Sequence, residues 1–339
     1  MRRLALAILC SLTLASPLAA HPAAFSYLDV ELAERVVDVT VVAHVFDLAH
    51  DLGLRSPDAL LLPRLRVTAD DRLLSCRSSA APVAVPDRNS IRLRFVCPSD
   101  RPVGFLRLQA VMFPYDPAHE TFLNVYEHGS LQTQAILDRD RPAFAYFAGT
   151  PQGVLAISGR FLPAGIRHIL VGPDHLLFLV GLLLLGGSVR QLAFVVTAFT
   201  LAHSLTLSLA ALAVFIPPAR IVEPAIALSI VYVGADNLLV RGGRDARAWI
   251  ALGFGLVHGF GFANVLREME LPRRALGWSL FSFNLGVEIG QILVVLAVAS
   301  ALAALRARSE VAGRRLAVAG SIVVIAAGSF WFLERLSVP

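Results

Sequence analysis

Residues 168–187, HILVGPDHLLFLVGLLLLGG, pass from polar and ionisable side chains straight into an apolar run. A lipid core of ~30 Å needs roughly 20 apolar residues of helix to cross it. A charged side chain at the bilayer centre costs on the order of 2.5–3.5 kcal/mol, so ionisable residues there usually have a partner or a task. His168 and His175 are two helical turns apart and project from nearly the same face, with Asp174 flanking it. Between them Gly172-Pro173 interrupts the helix, because Pro173 has no N–H to give the carbonyl of Ile169. Two imidazoles, a carboxylate and a loosened carbonyl at membrane depth point to a metal or proton site. The competing account is an intramembrane His bonded to a neighbouring helix, and the rest of the chain decides between them.

The 339 residues are 56% hydrophobic, and every one of the 30 basic residues is Arg, which excludes any Lys-based mechanism. A mean hydropathy of +0.67 places a large part of the chain in the membrane. Residues 161–339 hold 14 Arg against 9 acids, whereas residues 21–160 hold 14 Arg against 16. The basic balance therefore follows membrane topology and does not call for nucleic acid. Six transmembrane helices are predicted near 163–186, 190–215, 220–241, 247–266, 276–304 and 314–335. The loops that would face the cytoplasm carry Arg190, then Arg241, Arg244 and Arg247, then Arg306, Arg308, Arg314 and Arg315. Arg220, Arg267, Arg273 and Arg274 lie in the outer loops, the last three mixed with Glu268 and Glu270. The excess falls inside, as the positive-inside rule requires.

The part before these helices is different in kind. Residues 1–20 read as a signal peptide: Arg2 and Arg3, an apolar stretch over 4–14, and a cleavage region at 17–20. Residues 21–155 form the next domain. FSYLDVEL (25–32), VVDVTVVAHV (36–45), SIRLRFVC (90–97) and VGFLRLQAVMF (103–113) alternate or are rich in β-branched residues, the pattern of an antiparallel β-sandwich. SLQTQAIL (130–137) adds a strand, and residues 50–62 read as a short helix and loop. Cys76 and Cys97, the only cysteines after signal cleavage, are expected to pair in an oxidising compartment. A metal site from two Cys so far apart is the weaker alternative. His21, at the expected mature N-terminus, has a surface role and copper or nickel binding as its two readings. The segment 113–130 sets Asp116, His119, Glu120 and His128 close in sequence, where turn chemistry explains DPAH as well as metal capture does.

The predicted spans contain more polar residues than anchoring needs. His203 lies in FTLAHSLTLSLA (199–210), His258 in GFGLVHGFGFAN (253–264) and Glu288 in FSFNLGVEIGQ (281–291). Asn284, Glu288 and Gln291 form a polar stripe on one face. Counted at 1.5 Å per residue, His175, His203, His258 and Glu288 fall at one depth on four helices. Nitrogen and carboxylate donors without thiolate suit Ni²⁺, Co²⁺, Zn²⁺ or Cu²⁺, and also suit a proton relay.

HILVGPDH (168–175) resembles the H-x5-D-H motif in the first membrane helix of the HupE/UreJ family of nickel and cobalt permeases. His168, Asp174 and His175 fall on its motif positions, and His258-Gly259 with Glu288 loosely echo the family's second signature. The resemblance covers the helical half, and the whole chain looks like the larger branch with an added extracytoplasmic domain. It implies a non-enzymatic permease or metal-delivery protein in the bacterial inner membrane, its N-terminal domain on the periplasmic side. The expected architecture is a polytopic α-helical membrane protein with six transmembrane helices over 161–339, preceded by a signal peptide and an all-β extracytoplasmic sandwich. The expected metal residues are His168, Asp174, His175, His203, His258 and Glu288, and the carried ion Ni²⁺, with Co²⁺ or Zn²⁺ next. The expected partners are that ion, the lipid bilayer, and a metallochaperone or metalloenzyme maturation system. The rivals are a membrane-embedded metal-dependent hydrolase and a non-transporting assembly or sensing partner.

Overall fold

The computed structural model describes residues 25–53, 55–239, 245–262, 271 and 273–337. The expected signal peptide, His21, Arg241, Arg244, Arg267, Glu268 and Glu270 lie outside the described residues. The chain divides into two compact units, residues 1–148 and 149–339.

The first unit is built from eleven described strands: β1 (Phe25–Leu32), β2 (Val36–His44), β3 (Leu65–Ala69), β4 (Arg72–Leu73), β5 (Arg77–Ser78), β6 (Val83–Val85), β7 (Ser90–Pro98), β8 (Phe105–Ala110), β9 (Glu120–Glu127), β10 (Ser130–Leu137) and β11 (Ala143–Phe147). One sheet runs β10-β9-β1-β2-β7-β5 with β6 also on β7, and the other runs β11-β8-β3-β4. Strand alternation puts Leu28, Val30 and Leu32 on the buried face of β1, and Leu123 and Val125 on that of β9. Residues from both sheets, among them Phe95, Leu106 and Leu108, join one hydrophobic core. The expected antiparallel order is corrected at one seam: β1 and β9 pair in parallel, Leu28 beside Leu123 and Val30 beside Val125. A period-2 pattern is the same read in either direction, so alternation does not report strand polarity. Two short helices, α1 (Val45–Leu52) and α2 (Pro57–Leu61), occupy the stretch after β2. Cys76 and Cys97 form the disulfide, closing the chain onto β7 over a separation of 21 residues.

Segment 113–130 does not form a single loop. Asp116 accepts a hydrogen bond from the Ala118 N–H and closes a turn. Residues from Glu120 then enter β9. His128 and Gly129, with φ of 52° and 73°, make the two-residue hairpin turn to β10, where positive φ at both positions is what strand twist favours. His119 is buried, and its ring bonds Ser26 through Nε2 at 3.1 Å.

The second unit is helical: α3 (Pro151–Val171), α4 (Pro173–Leu183), α5 (Val189–Ala211), α6 (Ala219–Leu239), α7 (Arg247–His258), α8 (Arg273–Arg308) and α9 (Glu310–Ser337). Five of these, all but α4 and α7, are long and apolar enough to cross a membrane. The first predicted span, 163–186, is corrected. A Thr150 cap starts α3 at Pro151, and the helix stops at Gly172, whose backbone is extended, before α4 restarts at Pro173. The span predicted at 247–266 is helical only through His258, continues as a 3₁₀ turn over Gly259–Phe262, and then leaves the described residues.

The helices pack chiefly as three pairs, α3 with α8, α6 with α9, and α5 with α7. Glycine allows the close crossings. A Cβ on Gly165 would stand 2.9 Å from the Val287 amide nitrogen of α8, and one on Gly255 would stand 2.6 Å from the Phe199 carbonyl oxygen of α5. In lipid, such backbone approach and van der Waals contact replace the hydrophobic drive that assembles soluble cores.

Candidate functional site

The break at Gly172-Pro173 lies between the first two of four histidines. His168 sits in the last turn of α3 and His175 in the first turn of α4, their ring centroids 4.4 Å apart. On α5, His203 lies 5.8 Å from His175 and 6.3 Å from His168, centroid to centroid. His258, the last residue of α7, lies 5.0 Å from His175. His203 and His258 are almost wholly buried and His175 is 9% exposed. Aromatic rings enclose the group: Phe199 stacks against His203, Phe178 stands 5.1 Å from His258, and Phe283 stands 5.4 Å from His168.

Several imidazole nitrogens in this apolar enclosure lack a hydrogen-bond partner: Nε2 of His175, both nitrogens of His203 and Nδ1 of His258. His258 Nε2 pairs with the Ser229 hydroxyl of α6 at 2.8 Å. Leaving a buried polar atom unsatisfied costs ~1–3 kcal/mol, so several together in one pocket form a costly arrangement. Among the described residues no group of three or more His, Cys, Asp or Glu forms a ready metal site. The rings stand together without that geometry.

The two carboxylates of the predicted set take other partners. Asp174 accepts two hydrogen bonds from Arg335 of α9, at 3.0 and 2.8 Å. Glu288 accepts one from the Thr197 hydroxyl at 3.1 Å, and its other oxygen has no partner. It lines a groove between α5 and α8 with Thr197, Ser204 and Asn284. Gln291, on the same stripe, accepts from Thr200 at 2.7 Å. Helix periodicity puts Glu288 on one stripe with Asn284 and Gln291, and α8 turns it toward the Thr197 hydroxyl of α5.

Four residues have roles that the sequence pattern does not show. Ser229 looks like a hydroxyl that bonds back to its own helix, which it also does, to Ile226 O at 2.6 Å. Arg335 is the cation for Asp174, an acid that opens an apolar helix containing no arginine. Arg247 and Arg306, read as topology markers, also have a local task. Arg247 donates to the Leu182 and Gly186 carbonyls, and Arg306 to those of Leu184 and Leu185, at the end of α4. Cations are favoured there because the last carbonyls of a helix are unpaired and carry its negative pole. Beside them, hydrogen bonding from Arg247 holds the Asp245 carboxyl below the ordinary value of 3.8.

A comparison with curated proteins finds no match. Residues 149–335, more than half of the chain and nearly all of its helical unit, match the family model described as HupE / UreJ protein. The β-sheet unit stands before the matched region as an added domain. This chain is a membrane protein that belongs to the HupE/UreJ family.

Proposed function

We propose that the protein carries a divalent transition-metal ion, Ni²⁺ first and Co²⁺ second, inward across the bacterial inner membrane. His168, His175, His203 and His258 form the central coordination stage, and Asp174 is the anionic group at its entry. The observation that carries this reading is the gathering of four imidazoles from four helices into one apolar enclosure, with nitrogens of His175, His203 and His258 that have no hydrogen-bond partner. A tetrahedral ion bound by imidazoles at ~2.1 Å holds ring centroids roughly 5 Å apart. The spacings of 4.4, 5.0 and 5.8 Å around His175 lie near that value, while His168 and His203 stand 6.3 Å apart, so the rings must shift to close on an ion. Neutral nitrogen donors without thiolate favour Ni²⁺ and Co²⁺ over Cu(I). Donors that are not preassembled also suit transport, since a carried ion must be released as well as bound.

Membership in a family of permease-like membrane proteins supports the same conclusion over an enzymatic one. The β-sheet unit lies outside the membrane on the periplasmic side, where a disulfide is compatible with the compartment. Its role is to receive the ion or a protein that delivers it. Arg247 and Arg306 mark the cytoplasmic end of α4, in keeping with the positive-inside rule. The test is uptake into proteoliposomes of purified full-length protein, comparing nickel, cobalt, zinc and copper. Selective nickel entry that disappears in His175→Ala is expected. No flux of any of the four ions, with one metal held through chelation, would replace transport with a resident-metal function.

A further inference from the structure

Asp174, in the first turn of α4, is closed off by a residue 161 positions away. Both of its oxygens are taken by one guanidinium nitrogen of Arg335. The other terminal nitrogen of Arg335 donates to the Glu223 carbonyl of α6 at 3.2 Å. We propose that Arg335 is a tethered cation that occupies the entry carboxylate in the resting protein, and that an incoming divalent ion exchanges with it. The inference rests on the permease reading above and adds a gate to it.

Three features support the exchange. First, the two cations compete: both oxygens of Asp174 are engaged by the guanidinium, and a metal drawing on the same carboxylate weakens those N–H bonds by withdrawing its negative charge. Second, the resting pair is well placed. Asp174 sits at the N-terminal end of α4 and Arg335 in the last turn of α9, the positions where helix dipoles favour an anion and a cation respectively. Both side chains are about four-fifths buried, at 21% and 20% exposure, so the attraction is only partly screened. Third, charge balance changes sign when an ion arrives. Arg335 neutralises Asp174 while the neighbouring imidazoles are unloaded. A divalent ion beside His175 repels the guanidinium and attracts the carboxylate, both strongly in a low-dielectric site. Glu223, whose side chain is exposed and whose carbonyl already holds Arg335, offers the displaced guanidinium a second carboxylate. The gate is thus a three-residue switch, Asp174–Arg335–Glu223, joining the ends of α4, α9 and α6.

The test is equilibrium nickel binding to purified full-length protein, by competition with a chromogenic chelator. Arg335→Gln is expected to bind nickel about tenfold tighter than wild type, since the carboxylate loses its competitor. Arg335→Lys, which keeps the charge, is expected to remain near wild type. In an Asp174→Asn background the Arg335→Gln change is expected to have a much smaller effect, only the direct repulsion of the ion being relieved, whereas a merely structural role for Arg335 would give the same effect in both backgrounds. Glu223→Gln is expected to weaken binding severalfold, and it carries the test if Arg335→Gln does not fold. Binding that Arg335→Gln leaves unchanged or weakens overturns the gate, as does an equal effect with and without Asp174. If Arg335→Gln does not fold, unchanged binding in Glu223→Gln overturns it. A wild type that binds no divalent ion would instead refute the permease reading itself.

Discussion

The two units differ in how far they pair their buried polar groups. In the β-sheet unit they largely pair, although Nδ1 of His119 has no partner. Ser26 bonds both His119 and Thr121, and Tyr115 donates to the buried Asp47 at 2.7 Å. In the helical unit His203 has neither ring nitrogen paired, although it is wholly buried. Desolvation penalises both environments, and in lipid no water stands ready to compensate. The difference teaches that paired polar groups support the first unit's fold, whereas the helical unit leaves ring nitrogens of His175, His203 and His258 unpaired, which the proposed function assigns to a passing ion.

The contrast can be broken most directly at its centre. Replacing His203 by Ala removes a side chain that satisfies nothing in the resting protein. It is expected to reduce nickel uptake by ~10²-fold, the upper end of what lost metal contacts cost, while circular dichroism and the amount of folded protein stay the same. Unfolding of His203→Ala would instead show that the ring supports structure, as the polar residues of the β-sheet unit do. Next in size is the disulfide. Converting Cys76 and Cys97 to Ala is expected to destabilise the β-sheet unit by about 3 kcal/mol, from the loop closed over 21 residues. Thermal unfolding with and without reductant measures it, and the helical unit is expected to melt unchanged.

A smaller effect follows from Ser26. Ser26→Ala leaves Nε2 of His119 without its partner and is expected to cost about 1–3 kcal/mol in denaturant titration. The smallest is a pH dependence. Burial pushes the His119 pKa below its ordinary 6.5, so the unfolded chain takes up a proton at a higher pH than the folded one. The stability associated with neutral His119 is therefore fully present above pH 6.5 and is lost as pH falls from there toward the folded value. Melting of the β-sheet unit is expected to fall across that window, and His119→Gln is expected to flatten the slope.

Much of this division is legible in the residues. The Cys pair and the alternation of 25–32 and 36–45 identify the sheets, and Gly172-Pro173 marks the helix break because proline lacks the donor that continuity needs. Other features depend on information that local pattern does not contain. The parallel seam of β1 on β9 joins strands about 95 positions apart, and both directions give the same alternation. The start of α3 at Pro151 is obscured by Arg160 and Arg167, which lower the hydropathy of that turn of chain. Counting depth along helices groups His175, His203 and His258 with Glu288, but depth leaves rotation open, and Glu288 faces Thr197. Arg335 reaches Asp174 only through the packing of α9 near α4, a contact that no periodicity announces.

The central claim is that imidazoles, and not the oxygen groups of the α5–α8 groove, hold the ion during passage. X-ray absorption on nickel-equilibrated, purified full-length protein tests it most directly. The account predicts imidazole scattering around the nickel that is lost in His175→Ala and retained in Glu288→Gln. An all-oxygen shell that survives His175→Ala and vanishes in Glu288→Gln would contradict it.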